Sequence, residues 1–224
     1  MHEKNEGLFI TCNLMTVLKK YDNFEQIAAR TAKAIEEVII FLEEMDPIQR
    51  AERLYKEADL YISNVSELEA TPCKKSCSHC CYQFVAATNA EVALIAKYVK
   101  EKNIPIRTKT LKWQSKYRSP EEYWKLHGKR TKCVFLKDSN DCAIYPVRPL
   151  GCRAYYSAEE DATNCTPDKD GNSRIVAIRS IPEVEMLISA ISNVENKGKK
   201  IVAGKPMMSS MANLLLKLRE KHKI

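Results

Sequence analysis

Apolar residues recur at helical spacing over residues 23–45, where Ile27, Ala34, Ile35, Val38, Ile39 and Leu42 line one stripe. Asp46-Pro47 then closes that helix and opens another, with Asp46 as N-cap and Pro47 in the first turn. The new helix carries Leu54, Ala58, Tyr61, Ile62 and Val65 along one face. Residues 1–68 therefore read as an N-terminal helical hairpin extension without the chemistry that follows. Residues 69–224 read as a second unit with helices of its own.

In that unit Thr88-Asn89-Ala90-Glu91 is a capping-box pattern, opening a helix through Leu94, Ile95 and Tyr98 that ends near Asn103 to Pro105. Ser119-Pro120-Glu121-Glu122 opens a shorter helix through Tyr123 and Trp124, stopped by Gly128. Over residues 133–170 the pieces CVFL, NDC, IYPVRP and GC follow one another too quickly for long elements, which predicts short extended pieces and turns. Helical periodicity returns at 182–194 and 211–221, with Gly198, Gly204 and Pro206 marking loops between them. The expected fold is mainly α: a bundle-like helical protein with an irregular cysteine-rich metal-binding segment and a few short strands.

A length of 224 residues supports one substantial core, and an apolar fraction of 45% predicts a folded chain. The net charge of +7 is a weak pointer to acidic partners; the densest basic run, KLHGKRTK at 125–132, reads as a solvated face. No apolar run approaches the roughly 20 residues that span a bilayer, so no membrane association is expected. The N-terminal residues lack the pattern of a secretory signal, and the expected setting is the cytoplasm.

In that reducing setting the nine cysteines argue for metal or redox chemistry rather than for a disulfide framework. Eight of them, Cys73, Cys77, Cys80, Cys81, Cys133, Cys142, Cys152 and Cys165, lie in the second unit, four within the nine residues CKKSCSHCC at 73–81. Cys73, Cys77 and Cys80 stand at offsets 0, 4 and 7, which converge on a helical turn or in a loop wrapped around an ion. A thiol of pKa about 8.5 becomes a soft anionic ligand once zinc or iron replaces its proton. Four such thiolates on one zinc, or around an iron-sulfur cluster, carry a net charge of about minus two. Lys74, Lys75, His79 and the arginines flanking Cys152, Arg148 and Arg153, are the cations that would offset it. Adjacent Cys80 and Cys81 suit two centres or a bridged pair, or one cluster with spare thiols. His79 is either a ligand or a hydrogen-bond donor beside the ligands. Cys12, remote from the rest, reads as a small buried hydrophobe, and His2, His127 and His222 as surface residues.

The ordered set C-x3-C-x2-C-C, then CVFL, NDCAIYPVRPLGCRAYY and the cysteine of NCTP, resembles the YkgJ-like cysteine-cluster family, described as zinc- or iron-chelating, over residues 73–170. The resemblance implies a metal site built from the eight cysteines, with Tyr145, Arg148, Pro149 and Arg153 matching the second half of the motif. It implies no particular reaction. A more distant similarity is to flagellin lysine N-methylases, which transfer a methyl group from S-adenosylmethionine and have longer chains.

Three functions follow as alternatives. The first is a metal-binding protein whose cluster holds zinc or an iron-sulfur centre in a structural or redox role. The second is an iron-sulfur-dependent modification enzyme linked to S-adenosylmethionine. The spacing of Cys73, Cys77 and Cys80 resembles that of radical S-adenosylmethionine enzymes, but Cys81, His79 and the absence of a repeating strand–helix pattern depart from them. The third is a zinc-stapled module binding a protein or, through Trp113, Tyr117, Tyr123, Trp124, Lys129 and Arg130, a nucleic acid. No catalytic acid–base pair is recognisable.

Overall fold

A computed structural model describes residues 42–65, 71, 73–117, 132–157, 178–195 and 209–212, together with 23, 25, 26, 215, 216 and 218. Within these residues the protein is mainly helical, with strands only two or three residues long. The first expected helix lies outside the described residues except for residues 23, 25, 26 and 42–45. So do the whole helix expected after Ser119 and part of that at 211–221.

Helix α1, Pro47–Ser63, begins where Asp46-Pro47 places it. The Asp46 carboxylate accepts from the N–H groups of Ile48 at 2.8 Å and Gln49 at 3.2 Å, and the Gln49 side chain accepts from the Asp46 N–H at 3.4 Å. Those contacts satisfy N–H groups that have no partner within the helix. Its apolar face buries Ala51, Leu54, Tyr55 and Ala58. Leu60, on another face, is exposed.

Helix α2, Asn89–Glu101, opens with the expected Thr88–Glu91 capping box and packs along α1. Its first turn is capped a second time from afar. The carboxylate of Glu195 accepts from Asn89 N at 2.8 Å and Ala90 N at 2.6 Å. Glu195 is the last residue of helix α5, Pro182–Glu195, so one contact ties the end of one helix to the start of another.

A short helix, α3 (Thr108–Gln114), was not legible in the pattern. Only Leu111 of its seven residues is buried and no side chain caps its start, so neither periodicity nor a capping signal marks it. Arg107 just before it donates to the carbonyl of Leu136 at 3.0 Å and to Asp138 at 3.2 Å, which docks α3 against the cysteine-rich segment. Trp113 and Tyr117 pack ring against ring, 5.0 Å apart.

The cysteine-rich segment has the expected broken character. An isolated bridge pairs Leu136 with Cys142, a 3-10 turn covers Tyr145–Val147, and a single helical turn, α4, spans Leu150–Arg153. Strands β1 (Ala86–Ala87) and β4 (Ser209–Ser210) pair antiparallel, as do β2 (Tyr155–Ser157) and β3 (Ile178–Ser180). α4 packs against α5, α1, β1 and β2 and so occupies the centre of the fold.

One core joins all of this. Leu42 and Leu54 belong to the same buried cluster as Ile95, Leu111, Phe135, Ile144, Leu150, Leu187, Ile191 and Leu215. Burying each such side chain contributes about 1.5–3 kcal/mol relative to leaving it in water. α1 therefore shares its core with the cysteine-rich segment.

Among the described residues, Glu91 is the one fully buried carboxyl. Its oxygens accept from Leu150 N at 2.6 Å and Thr88 N at 2.8 Å, fastening the start of α4 to α2. Burial raises its pKa above the ordinary carboxyl value, against the opposing pull of the Leu150 and Thr88 N–H groups. The folded chain therefore holds this proton more tightly than the unfolded chain. The resulting stabilisation is full below the unfolded pKa of about 4.3 and is lost as pH rises through the folded value. Glu91→Gln should flatten that decline, measured by urea unfolding across a pH series; a slope matching the parent protein's would refute the assignment.

Candidate metal centre

The loop from Cys73 to Ser78 is not helical, so the helical offsets of Cys73, Cys77 and Cys80 do not bring their sulfurs together on a helix face. Cys77 N donates to Lys74 O at 3.0 Å, and Ser76 takes a left-handed backbone conformation with φ of 72°. For a residue with a Cβ this conformation costs about 1–2 kcal/mol. The Ser76 hydroxyl is fixed by a 2.6 Å hydrogen bond to Asp141, which also accepts from Ser139 at 2.9 Å. Asn140, beside Asp141, is left-handed as well, with φ of 64°.

After this loop a 3-10 helix, His79–Tyr82, delivers the adjacent pair Cys80 and Cys81. Cys133 N donates to Cys81 O at 2.7 Å, so the first cysteine run is stitched by its backbone to the second. Cys142 follows at the Leu136 bridge, and Cys152 sits in α4, its N–H donating to Pro149 O at 2.8 Å.

Cys80, Cys81, Cys133, Cys142 and Cys152 lie within electrostatic reach of one another. The thiol of Cys81 donates to Cys80 and, with help from the Arg148 guanidinium, lowers the Cys80 pKa to about 7. Donating that hydrogen bond, burial and the neighbouring thiols together raise the pKa of Cys81. Burial pushes Cys133 up to about 12 and raises Cys142 and Cys152 as well. Cys81, Cys133, Cys142 and Cys152 therefore keep their protons until a cation takes their place, whereas Cys80 is the thiol readiest to ionise, which together suit a thiolate metal site.

The other expected ligands stand differently. Cys73 is exposed, and its sulfur accepts from Ser157 N at 3.2 Å, at the end of β2. Cys77 is half-buried in the loop, and His79 is half-buried at the head of the 3-10 helix. Cys165 and Cys12 lie outside the described residues, as do His2, His127, His222, Tyr123, Trp124, Lys129 and Arg130. The seven described cysteines are all free thiols. Among the described residues, no three Cys, His, Asp or Glu side chains are arranged to hold a metal ion as they stand.

The two arginines flanking Cys152 part company. Arg148 lies over the Tyr145 ring, 4.2 Å from its centre, and acts electrostatically on Cys80, Cys142 and Cys152. Arg153 turns away to α1. It pairs with Asp59 at 2.5 Å, donates to Pro146 O at 2.6 Å and Arg148 O at 3.0 Å, and lies over the Tyr55 ring at 4.4 Å. Its charge is thus committed to holding the 146–148 turn rather than to offsetting thiolates.

Residues 72–169 match a protein-family model named CxxCxxCC and described as "Putative zinc- or iron-chelating domain". This segment is similar to that family. The match covers less than half of the chain and takes in the seven described cysteines and Cys165. No curated protein and no solved structure matches the chain. No helix among the described residues is long and apolar enough to cross a membrane.

Sequence reasoning missed the residues that hold this region in place. Asp59 and Tyr55 from α1, Glu91 from α2 and Asp141 beside Cys142 all brace the cysteine-bearing turns. Asp141 carried a local signal as the acidic residue of a turn directly before a cysteine, and Glu91 carried one only for its capping box, not for its bond to Leu150. The donor set fits zinc or iron: soft thiols, of which Cys80 is exposed and Cys81, Cys133, Cys142 and Cys152 are half-buried, with one guanidinium acting on three of them.

Proposed function

We propose that this chain binds zinc or an iron-sulfur centre through cysteine thiolates, and that the centre has a structural or redox role. Cys80, Cys81, Cys133, Cys142 and Cys152 would supply the inner thiolates, and Cys73, Cys77 and Cys165 are the remaining candidates. The observation that carries this reading is that five thiols from separated stretches of chain lie within electrostatic reach of one another, three of them also within reach of Arg148, inside the segment similar to a zinc- or iron-chelating family. Binding would deprotonate the thiols and draw their sulfurs inward. The backbone contact between Cys81 and Cys133 keeps the two halves within range for that movement. Five thiolates exceed the four that one tetrahedral zinc accepts, which suits a bridged pair of metals or a cluster with a spare thiol.

The test is the metal and acid-labile sulfide content of anaerobically purified protein, read beside its visible absorption. Iron with matching sulfide and a brown chromophore is the outcome of an iron-sulfur centre. One or two colourless zinc ions per chain is the outcome of a structural site. Protein that holds neither, and takes up neither on reconstitution, would end the proposal.

A further inference from the structure

The Nε–H of Arg148 is buried and has no hydrogen-bond partner among the described residues, alone among the buried side-chain nitrogens and oxygens there. Buried donors of this kind are rare, and each one calls for an explanation in an ion or ligand. The side chain has little freedom to find another acceptor. Its guanidinium is laid over the Tyr145 ring at 4.2 Å, Pro149 follows it, and its carbonyl is held by Arg153 Nε at 3.0 Å. The guanidinium is also close enough to Cys80, Cys142 and Cys152 to act on all three sulfurs, which come from three different turns.

Resting on the metal reading above, we propose that Arg148 is a positioning residue for the centre: its Nε–H donates to a metal-bound sulfur, and its charge compensates the anionic thiolates. Arg153, the neighbouring arginine, has the separate task of joining the turn to α1. A guanidinium suits the first role because it stays charged in any sulfur environment and presents donors in a fixed plane. A sulfur that accepts such a bond gives less charge to the metal, so the bond tunes the centre as well as holding it.

The experiment compares the full chain with Arg148→Gln, Arg148→Lys and Arg153→Lys. Each apoprotein is titrated with zinc against a competing chelator and with cobalt(II), whose thiolate charge-transfer bands report on the bound sulfurs. Arg148→Gln is expected to weaken zinc binding by about 10- to 100-fold, as loss of a partner to a metal ligand generally does. The cobalt bands should shift, and the apoprotein should melt as the parent does. Arg148→Lys should regain part of the affinity while keeping the shifted bands, since it restores charge without restoring the Nε–H. Arg153→Lys should lower the melting temperature of the apoprotein and leave the bands in place. Parent-like affinity and bands in Arg148→Gln would overturn the assignment while leaving the metal reading intact. A parent protein that binds neither zinc nor cobalt and holds no iron would instead remove the metal reading, and this assignment with it.

Discussion

Cys152→Ser is expected to abolish stoichiometric metal binding while leaving the helical core folded. Cys152 belongs to α4, which packs against α5, α1, β1 and β2 and therefore cannot shift to let another thiol take its place. Serine has nearly the same shape, but its hydroxyl keeps its proton and is a poor ligand for zinc or iron. The readout is the stability gained from metal. A ligand that binds only the folded state contributes about 4 kcal/mol at a thousandfold excess over its Kd. Thermal unfolding of the parent protein should thus show a large difference between metal-loaded and chelator-treated samples, and Cys152→Ser should show almost none. Equal metal content and an equal gap in the two proteins would remove Cys152 from the site. The substitution cannot act merely by unfolding the chain if the two chelator-treated proteins melt within a few degrees of each other, so that comparison belongs to the same experiment.

Arg153→Met should destabilise the apoprotein by about 2.5–7 kcal/mol. The side chain of Arg153 is only 6% exposed, whereas Asp59 opposite it is 62% exposed, so the ion pair itself is well solvated on the acidic side and worth little. Most of the effect comes from elsewhere. Methionine keeps much of the packing volume but leaves the carbonyls of Pro146 and Arg148 without their donors and removes the cation from the Tyr55 ring. Each partly buried acceptor left unpaired costs about 1–3 kcal/mol, and the cation–π contact adds about 0.5–1 kcal/mol. Asp59→Asn, which touches only the solvated partner, should cost less than about 1 kcal/mol. Urea midpoints of the metal-free proteins measure both. Similar midpoints for Arg153→Met and the parent would show that the 146–148 turn does not depend on this anchor.

These two substitutions separate what binds from what braces, a distinction the order of residues along the chain conceals. Arg148 and Arg153 both lie within four residues of Cys152 and are both basic, so charge and spacing assign them the same task. The fold assigns them different ones, because α1 brings Asp59 and Tyr55 within reach of Arg153 alone. A contact between positions 59 and 153 leaves no trace in local periodicity. The same holds for Glu91: its place in a capping box is a local matter of three residues, whereas its hydrogen bond to Leu150 is a matter of packing.

Local rules carried the reading wherever a signal fits within one or two turns of chain. The Asp46-Pro47 start of α1 and the Thr88–Glu91 capping box of α2 stand where side-chain chemistry at a helix end puts them, and the long helix from Pro182 stands where hydrophobic periodicity puts it. α3 escaped because its seven residues bury only Leu111 and carry no cap. The similarity of the 72–169 segment to a zinc- or iron-chelating family was legible too, since its ordered cysteines form a recognisable pattern. Which thiols meet was decided by the tertiary structure. Helical spacing groups Cys73, Cys77 and Cys80, but the left-handed turn at Ser76 breaks that periodicity and leaves Cys73 bonded to Ser157. Backbone pairing of Cys81 with Cys133, together with the docking of α4 by Glu91, brings Cys80, Cys81, Cys133, Cys142 and Cys152 within electrostatic reach of one another instead. Residue type is a property of the chain and names the chemistry; the meeting of side chains tens of residues apart depends on which surfaces bury each other, and only the folded core determines that.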